Sequence, residues 1–274
     1  VFAVFMSSAV AGIATAPIAA AHFNQIAHYG LIANLLSVPL MGVLVMPAAV
    51  VAACLMPLNL DFIPFWVMAR GLDWILSVAH WTASLDGARG MVPSPDPIVL
   101  PLLAMGALFV ILWRGKARVL GGLPCVIAFV AWSGTQRPAV LIADTGGLVG
   151  VMTTEGRALN RERGSGFVAL NWLENDGDAV DQLTAHTRWP AADASWPIQT
   201  IRGQKAADAV SGCNEAKWLV MTYNPAAPLK LEDCEVLTPA SFKKTGAIAL
   251  YESNGTLHAI TARQVTGARL WVFQ

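Results

Sequence analysis

Between Val1 and Leu60 the chain contains no aspartate, glutamate, lysine or arginine. Up to Trp113 only Asp61, Arg70, Asp73, Asp86, Arg89 and Asp96 are charged, and the other 30 of the 36 charged residues follow from Arg114 onward. Charged residues make up 13% of the 274, against roughly 25% for an ordinary soluble protein. That shortage excludes a soluble first half. Its asymmetry predicts a membrane half followed by a water-soluble half, with the change near Trp132.

Cysteine is also scarce, and its four positions contain no Cys-x2-Cys pair, which argues against a zinc knuckle. Cys54 and Cys125 lie in apolar segments and read as buried thiols. Cys213 and Cys234 lie in the polar half, where either a disulfide or two unpaired thiols is allowed. The chain opens at Val1 directly in an apolar run, without the basic n-region and small-residue cleavage site of a signal peptide. The expectation is the C-terminal part of a longer polypeptide whose remainder holds further spans.

What is present is a run of apolar segments. Val1 to Ala21 is long enough for one span, since about 20 residues cross the hydrocarbon core. The stretch from Ala16 to Pro47 then combines apolar character with His22, Asn24, Gln25, His28 and Asn34, and with Pro17, Pro39 and Pro47. Backbone in lipid must be satisfied internally, so amides and prolines at membrane depth face protein or a water-filled cavity. The five polar residues are therefore candidates for lining or gating a path. The alternative is that they cap helices and bond between spans. The three prolines are read as helix breaks, and Leu31 to Leu58 as a broken, partly re-entrant element.

Phe62 to Leu85 interleaves Arg70, Asp73 and His80 with Trp66, Trp74 and Trp81, and either spans the membrane or lies along its surface. Arg70 and Asp73, three apart, read as an ion pair, and the tryptophans as an interfacial belt rather than a base-stacking platform. Ile98–Trp113 and Val119–Trp132 are two short spans around Arg114, Lys116 and Arg118. The positive-inside rule puts that basic loop in the cytoplasm and everything after Gln136 outside, which in a bacterium is the periplasm.

Residues 137–274 are expected to form a small α/β domain. Strand candidates are 138–144, 217–223, 246–252 and 256–263, with a hairpin turn at Ser253-Asn254-Gly255 and another at Glu155-Gly156. From Arg137 onward there are 13 basic and 14 acidic residues, so no general affinity for phosphate follows. Arg157, Arg161 and Arg163 form the one basic run, which reads more simply as a solvated loop.

The run from Ala11 to Pro47 resembles the closing helices of the membrane domain of the ComEC family, inner-membrane channels for DNA uptake in natural transformation. The matching elements fall on Pro17, His22–Phe23, Gly30–Asn34 and Val38–Leu40. The resemblance implies a membrane all-α bundle over 1–136, a fragment of a polytopic competence domain. It also implies a periplasmic metallo-β-lactamase-like domain over 137–274, whose first motif the stretch IADTGGLVGVM (142–152) resembles. Single-stranded DNA, membrane lipids, periplasmic DNA-receptor proteins and cytoplasmic DNA-translocation proteins are the implied partners, with homo-oligomerisation allowed. A metal-dependent nuclease of this type needs a His-x-His-x-Asp-His cluster to hold its metals. Only His186 and His258 occur in this half, neither at ligand spacing, and Asp144 lacks the second aspartate of its motif. The expectation is a degenerate domain with no catalytic residues, no metal and no cofactor. The alternatives are a periplasmic nuclease for the non-transported strand and a docking or lid module.

Overall fold

The structure is a computed structural model that describes residues 2–189, 197–213, 215–227, 229, 231, 233–253 and 255–267. The chain divides into two compact units, Val1–Ser133 and Gly134–Gln274.

The first unit is helical. Helix α1 (Phe2–Phe23) runs through Pro17, and a short strand β1 (Gln25–Ala27) leads into α2 (Gly30–Leu40). A π-helical turn (Met41–Val45) joins α2 to α3 (Met46–Leu55) without a break, and a 3-10 turn (Met56–Leu58) ends the rod. The expected re-entrant break is thus absent, and none of the three prolines stops a helix. The reason is visible at Pro47, whose ring in a regular α-helix collides with the carbonyl four residues back. The π turn inserts one extra residue just before it, and Met46 N–H donates to the Met41 carbonyl, five residues back. In lipid that exchange matters, because backbone bonds have no water to replace them.

Helix α4 (Phe62–Ala83) packs Pro64, Gly71, Val78 and Thr82 inward. Gly71 is there because a Cβ would lie 2.7 Å from Val45 Cγ2 in the π turn. Strand β2 (Arg89–Met91) pairs antiparallel with β1, and α5 (Val99–Leu112) forms a hairpin with a 3-10 turn (Lys116–Gly121) and α6 (Gly122–Ser133). The hairpin is tight: a Cβ on Gly121 would lie 2.8 Å from the Gly106 carbonyl. Such small-residue contacts are how helices associate where burial from water gives little driving force.

Among the described residues four stretches are long and apolar enough to cross a membrane: Phe5–Phe23, Gly30–Leu58, Phe62–Ala83 and Lys116–Ser133. Helix α5, with 14 residues, is not among them. At 1.5 Å per residue it reaches about 21 Å, against roughly 30 Å of hydrocarbon.

The described residues of the second unit hold two sheets. The first is antiparallel, in the order β10-β9-β3-β4-β5, from β3 (Val140–Ile142), β4 (Val149–Thr153), β5 (Gly156–Leu159), β9 (Ile248–Ser253) and β10 (Thr256–Thr261). The second is parallel, in the order β6-β7-β8, from β6 (Ile198–Ile201), β7 (Trp218–Met221) and β8 (Glu235–Leu237). Helices α7 (Gly166–Asn175), α8 (Gln182–Thr187), α9 (Gln204–Asp208), α10 (Pro239–Thr245) and α11 (Ala262–Thr266) accompany them. All four residues of β7 are buried, as a covered parallel strand requires, and hence the unbroken apolar run.

The anticipated strands 138–144, 217–223, 246–252 and 256–263 contain β3, β7, β9 and β10. Strands β1, β2, β6 and β8 were not anticipated. In the β4–β5 hairpin Thr153 faces Gly156, so the loop residues are Thr154 and Glu155 rather than Glu155 and Gly156. Asn254, in the other expected turn, lies outside the described residues. Thr238 and Thr261 cap α10 and α11 through capping boxes, which settles where these short helices begin.

Candidate functional site

The polar residues between α1 and α2 meet at one end of the first unit. Asn24 is buried and left-handed at φ 56°, a backbone that asparagine tolerates better than most residues. Its backbone carbonyl accepts from Val92 N–H at 2.9 Å, and its side-chain oxygen accepts from Ser94 Oγ at 3.0 Å. Gln25 opens β1 opposite Met91. His28 Nδ1 donates to the Gly87 carbonyl at 2.7 Å, and its ring lies over Gly90, where a Cβ would be 2.7 Å from Nε2. The Tyr29 hydroxyl donates to the Asp86 carbonyl at 3.1 Å. Asn24 and His28 therefore hold the β1–β2 ribbon and the loop behind it.

His22 ends α1 exposed, with its ring edge-on to Phe23 at 5.0 Å. Asn34 is exposed on α2, one turn in from its start. Pro17 lines an apolar cavity of about 420 Å³ with Ile26, Pro93, Phe129 and Trp132.

A second polar group lies along α4. Arg70 and Asp73 occupy the middle of this helix, exposed, with Nη1 and Oδ2 4.0 Å apart. The Arg70 guanidinium sits 5.4 Å over the Trp66 ring. Trp66, Trp74 and Trp81 are exposed at 62%, 53% and 50%, and Ser77 Oγ donates to the Asp73 carbonyl. At about 100° per residue these positions form one stripe, separate from the packed face of Gly71 and Val78. A charge at mid-span is costly against hydrocarbon, so this stripe calls for protein or water beside it. By sequence alone these residues read as an ion pair and an interfacial belt. The signal available was their common face at spacings of three, four and seven.

In the second unit the metal question turns on side-chain placement. His186 Nδ1 donates to the Leu159 carbonyl at 2.8 Å, and His258, on exposed β10, lies 3.1 Å from Thr256 Oγ1. Asp144 is exposed in the loop after β3. Among the described residues no group of three or more His, Cys, Asp or Glu is placed to hold a metal ion. Cys213 and Cys234 are joined by a disulfide, with Cα atoms 5.9 Å apart, beside a cluster that includes Leu219 and Met221.

The stretch holding Arg157, Arg161 and Arg163 is not the solvated loop expected of it. Arg157 is fully buried against Asp176, with Nη2 donating to Oδ1 at 3.0 Å. Arg161 turns instead towards Gly147, and Arg202 comes near it from the end of β6. Partial burial, and then the Arg161 charge, hold Arg202 below the ordinary arginine value. Arg202 was not singled out in the sequence, because 41 residues separate it from Arg161 and nothing local marks it.

The first unit is thus a polytopic helical membrane domain by length and composition, followed by an α/β unit. The model of a family described as "Competence protein" matches residues 1–117, which runs from α1 through α5 to the basic loop, and supports a competence family for that part. Neither a curated protein nor a solved structure matches the chain.

Proposed function

We propose that this chain is part of an inner-membrane channel that passes single-stranded DNA inward during natural transformation. The observation that carries this reading is the aromatic and charged stripe of α4, Trp66, Arg70, Asp73, Trp74 and Trp81, inside the segment matched by the competence family. With Arg70 and Asp73 exposed at mid-helix, it suits a hydrated path better than lipid. Aromatic rings with an interleaved cation suit unstacked bases and their phosphates. His22 and Asn34, exposed at the ribbon end, line the entrance of that path, while Asn24, Gln25 and His28 shape it.

In this reading the second unit faces the periplasm. The basic loop Arg114, Lys116 and Arg118 supports that orientation, and so does the Cys213–Cys234 disulfide, since such bonds persist in oxidising compartments. The unit is a degenerate relative of metallo-β-lactamase domains, supported by β3 running into the Asp144–Gly147 turn. It serves as a lid or docking surface for periplasmic DNA-receptor proteins rather than as a nuclease. Cytoplasmic DNA-translocation proteins draw the strand from the other side. Deleting the parent gene, with complementation by the intact gene, tests the reading in a transformation assay. Loss of transformants by several orders of magnitude is expected; unchanged uptake refutes it.

A further inference from the structure

Two arginines of the second unit come together with no carboxylate between them among the described residues. Arg161 lies two residues beyond β5, and Arg202 directly follows β6. Arg202 Nη2 donates to the Asn160 carbonyl at 2.8 Å, which anchors its head one residue from Arg161. The Arg161 guanidinium rests between two glycines: Cβ atoms on Gly147 and Gly164 would lie 3.5 and 3.4 Å from its nitrogens. The loop under it is clamped by Gln182 Nε2, which donates to the carbonyls of Arg161 at 3.1 Å and Gly164 at 2.8 Å.

The contrast with the neighbouring arginines is informative. Arg157 pairs with Asp176 and Arg188 with Asp178, whereas neither Arg161 nor Arg202 has a carboxylate within 4.0 Å among the described residues. Asp144, although it opens the adjacent loop, pairs with neither. Two like charges held in range repel unless an anion joins them. Neutral donors gather at the same place. Thr145 Oγ1 accepts from Gly147 N–H at 3.2 Å, leaving its own proton without an acceptor among the described residues. Asn160 is 6% exposed, and its Nδ2 is buried without a partner among the described residues. The Gly147 and Asn160 carbonyls each accept one bond from these arginines, but no group among the described residues balances the two charges, so the complementary ligand is an oxyanion.

We propose that Arg161, Arg202 and Thr145 form a binding site for a phosphate-bearing anion. Guanidinium forks match phosphate oxygens two at a time. The ligand is either a phosphodiester of a single strand or a free phosphate, and the two share this chemistry. The site goes beyond the uptake reading and is tested without it, since the measurement reads binding to the purified chain.

The experiment is phenylglyoxal labelling of arginines on the full chain in detergent, read residue by residue by mass spectrometry. Inorganic phosphate and an oligothymidylate of about 20 nucleotides are the separate probes. At a few times the dissociation constant, labelling of Arg161 and Arg202 slows by about fivefold relative to Arg163. Protection by the oligonucleotide alone assigns the site to a strand. Protection by phosphate alone assigns it to free phosphate, and protection by both to phosphate groups generally. Protection by neither, or equal protection at Arg163, overturns the proposal. As a second measurement, the Arg161→Gln, Arg202→Gln double variant binds the protecting probe about tenfold more weakly. If that probe is the oligonucleotide, the salt slope falls by roughly 1.4. Unchanged affinity in a folded double variant also overturns the proposal.

Discussion

Arg157 and Asp176 form an ion pair inside the second unit, the arginine wholly buried and the aspartate 5% exposed. The arginine also donates to the carbonyls of Gly150 at 3.2 Å and Pro138 at 3.1 Å, tying β5 to β4 and to the residues just before β3. Removing one partner leaves the other charge buried and uncompensated. Asp176→Asn or Arg157→Gln is therefore expected to cost about 3–5 kcal/mol. Chemical unfolding of the full chain in detergent, followed by the second unit's tryptophan fluorescence, checks this. A cost under about 1 kcal/mol would mean that the pair is not buried as described.

The Cys213–Cys234 disulfide closes a loop with a sequence separation of 21. Such a loop constrains the unfolded chain by about 3 kcal/mol. The Cys213→Ser, Cys234→Ser variant should unfold at correspondingly lower denaturant. Adding a reductant should bring the parent chain down to the variant and leave the variant itself unmoved.

Gly121 and Gly122 are adjacent but differ in surroundings. A Cβ on Gly121 would fall 2.9 Å from Val110 N and 2.8 Å from the Gly106 carbonyl, both backbone atoms that cannot rotate away. Gly121→Ala should destabilise the α5–α6 hairpin by about 1–3 kcal/mol. Gly122, with nothing within 4 Å, should accept alanine at no loss, with a gain of up to about 1 kcal/mol. Paired thermal melts of the two variants decide the matter; equal behaviour would contradict the close contact.

Asn24 combines a left-handed backbone with bonds to Val92 and Ser94. Asn24→Ala loses the side-chain bond and strains the backbone, costing roughly 2 kcal/mol. Asn24→Gly loses only the first. Limited proteolysis should cut the 86–97 loop fastest in the alanine variant, more slowly in the glycine variant, and slowest in the parent.

Arg70→Gln is the mutation that separates a path residue from a structural one. Its exposure and its 4.0 Å ion pair mean that little stability is lost. In a strain dependent on this gene, transformation should nevertheless fall about tenfold or more at unchanged protein level, the loss of a phosphate contact. Normal transformation would remove α4 from the path.

Much of the fold was legible because its signals are local. The charge-free run to Leu60, the apolar run of β7 and the strand patterns of β3, β9 and β10 each depend on neighbours within a few residues. What was not legible involved partners distant in the chain. The ribbon of Gln25–Ala27 with Arg89–Met91 joins segments too short to show a period. Pro47 looked like a break because the π turn that absorbs it leaves no mark in composition. Strands β6 and β8 are brief and partly polar, and acquire strand character only by pairing with β7.

The same division applies to the sites. Sequence alone determined that a membrane-compatible half precedes a polar half, and that polar and proline residues gather between Ala16 and Pro47. Those features follow from composition and covalent order. Only the tertiary structure decided that Asn24 and His28 bind the loop behind β2, that Arg157 is buried against Asp176, and that Arg161 meets Arg202. A side chain's role depends on what desolvates it and what charge stands beside it, and in each of these cases that neighbour is supplied by folding.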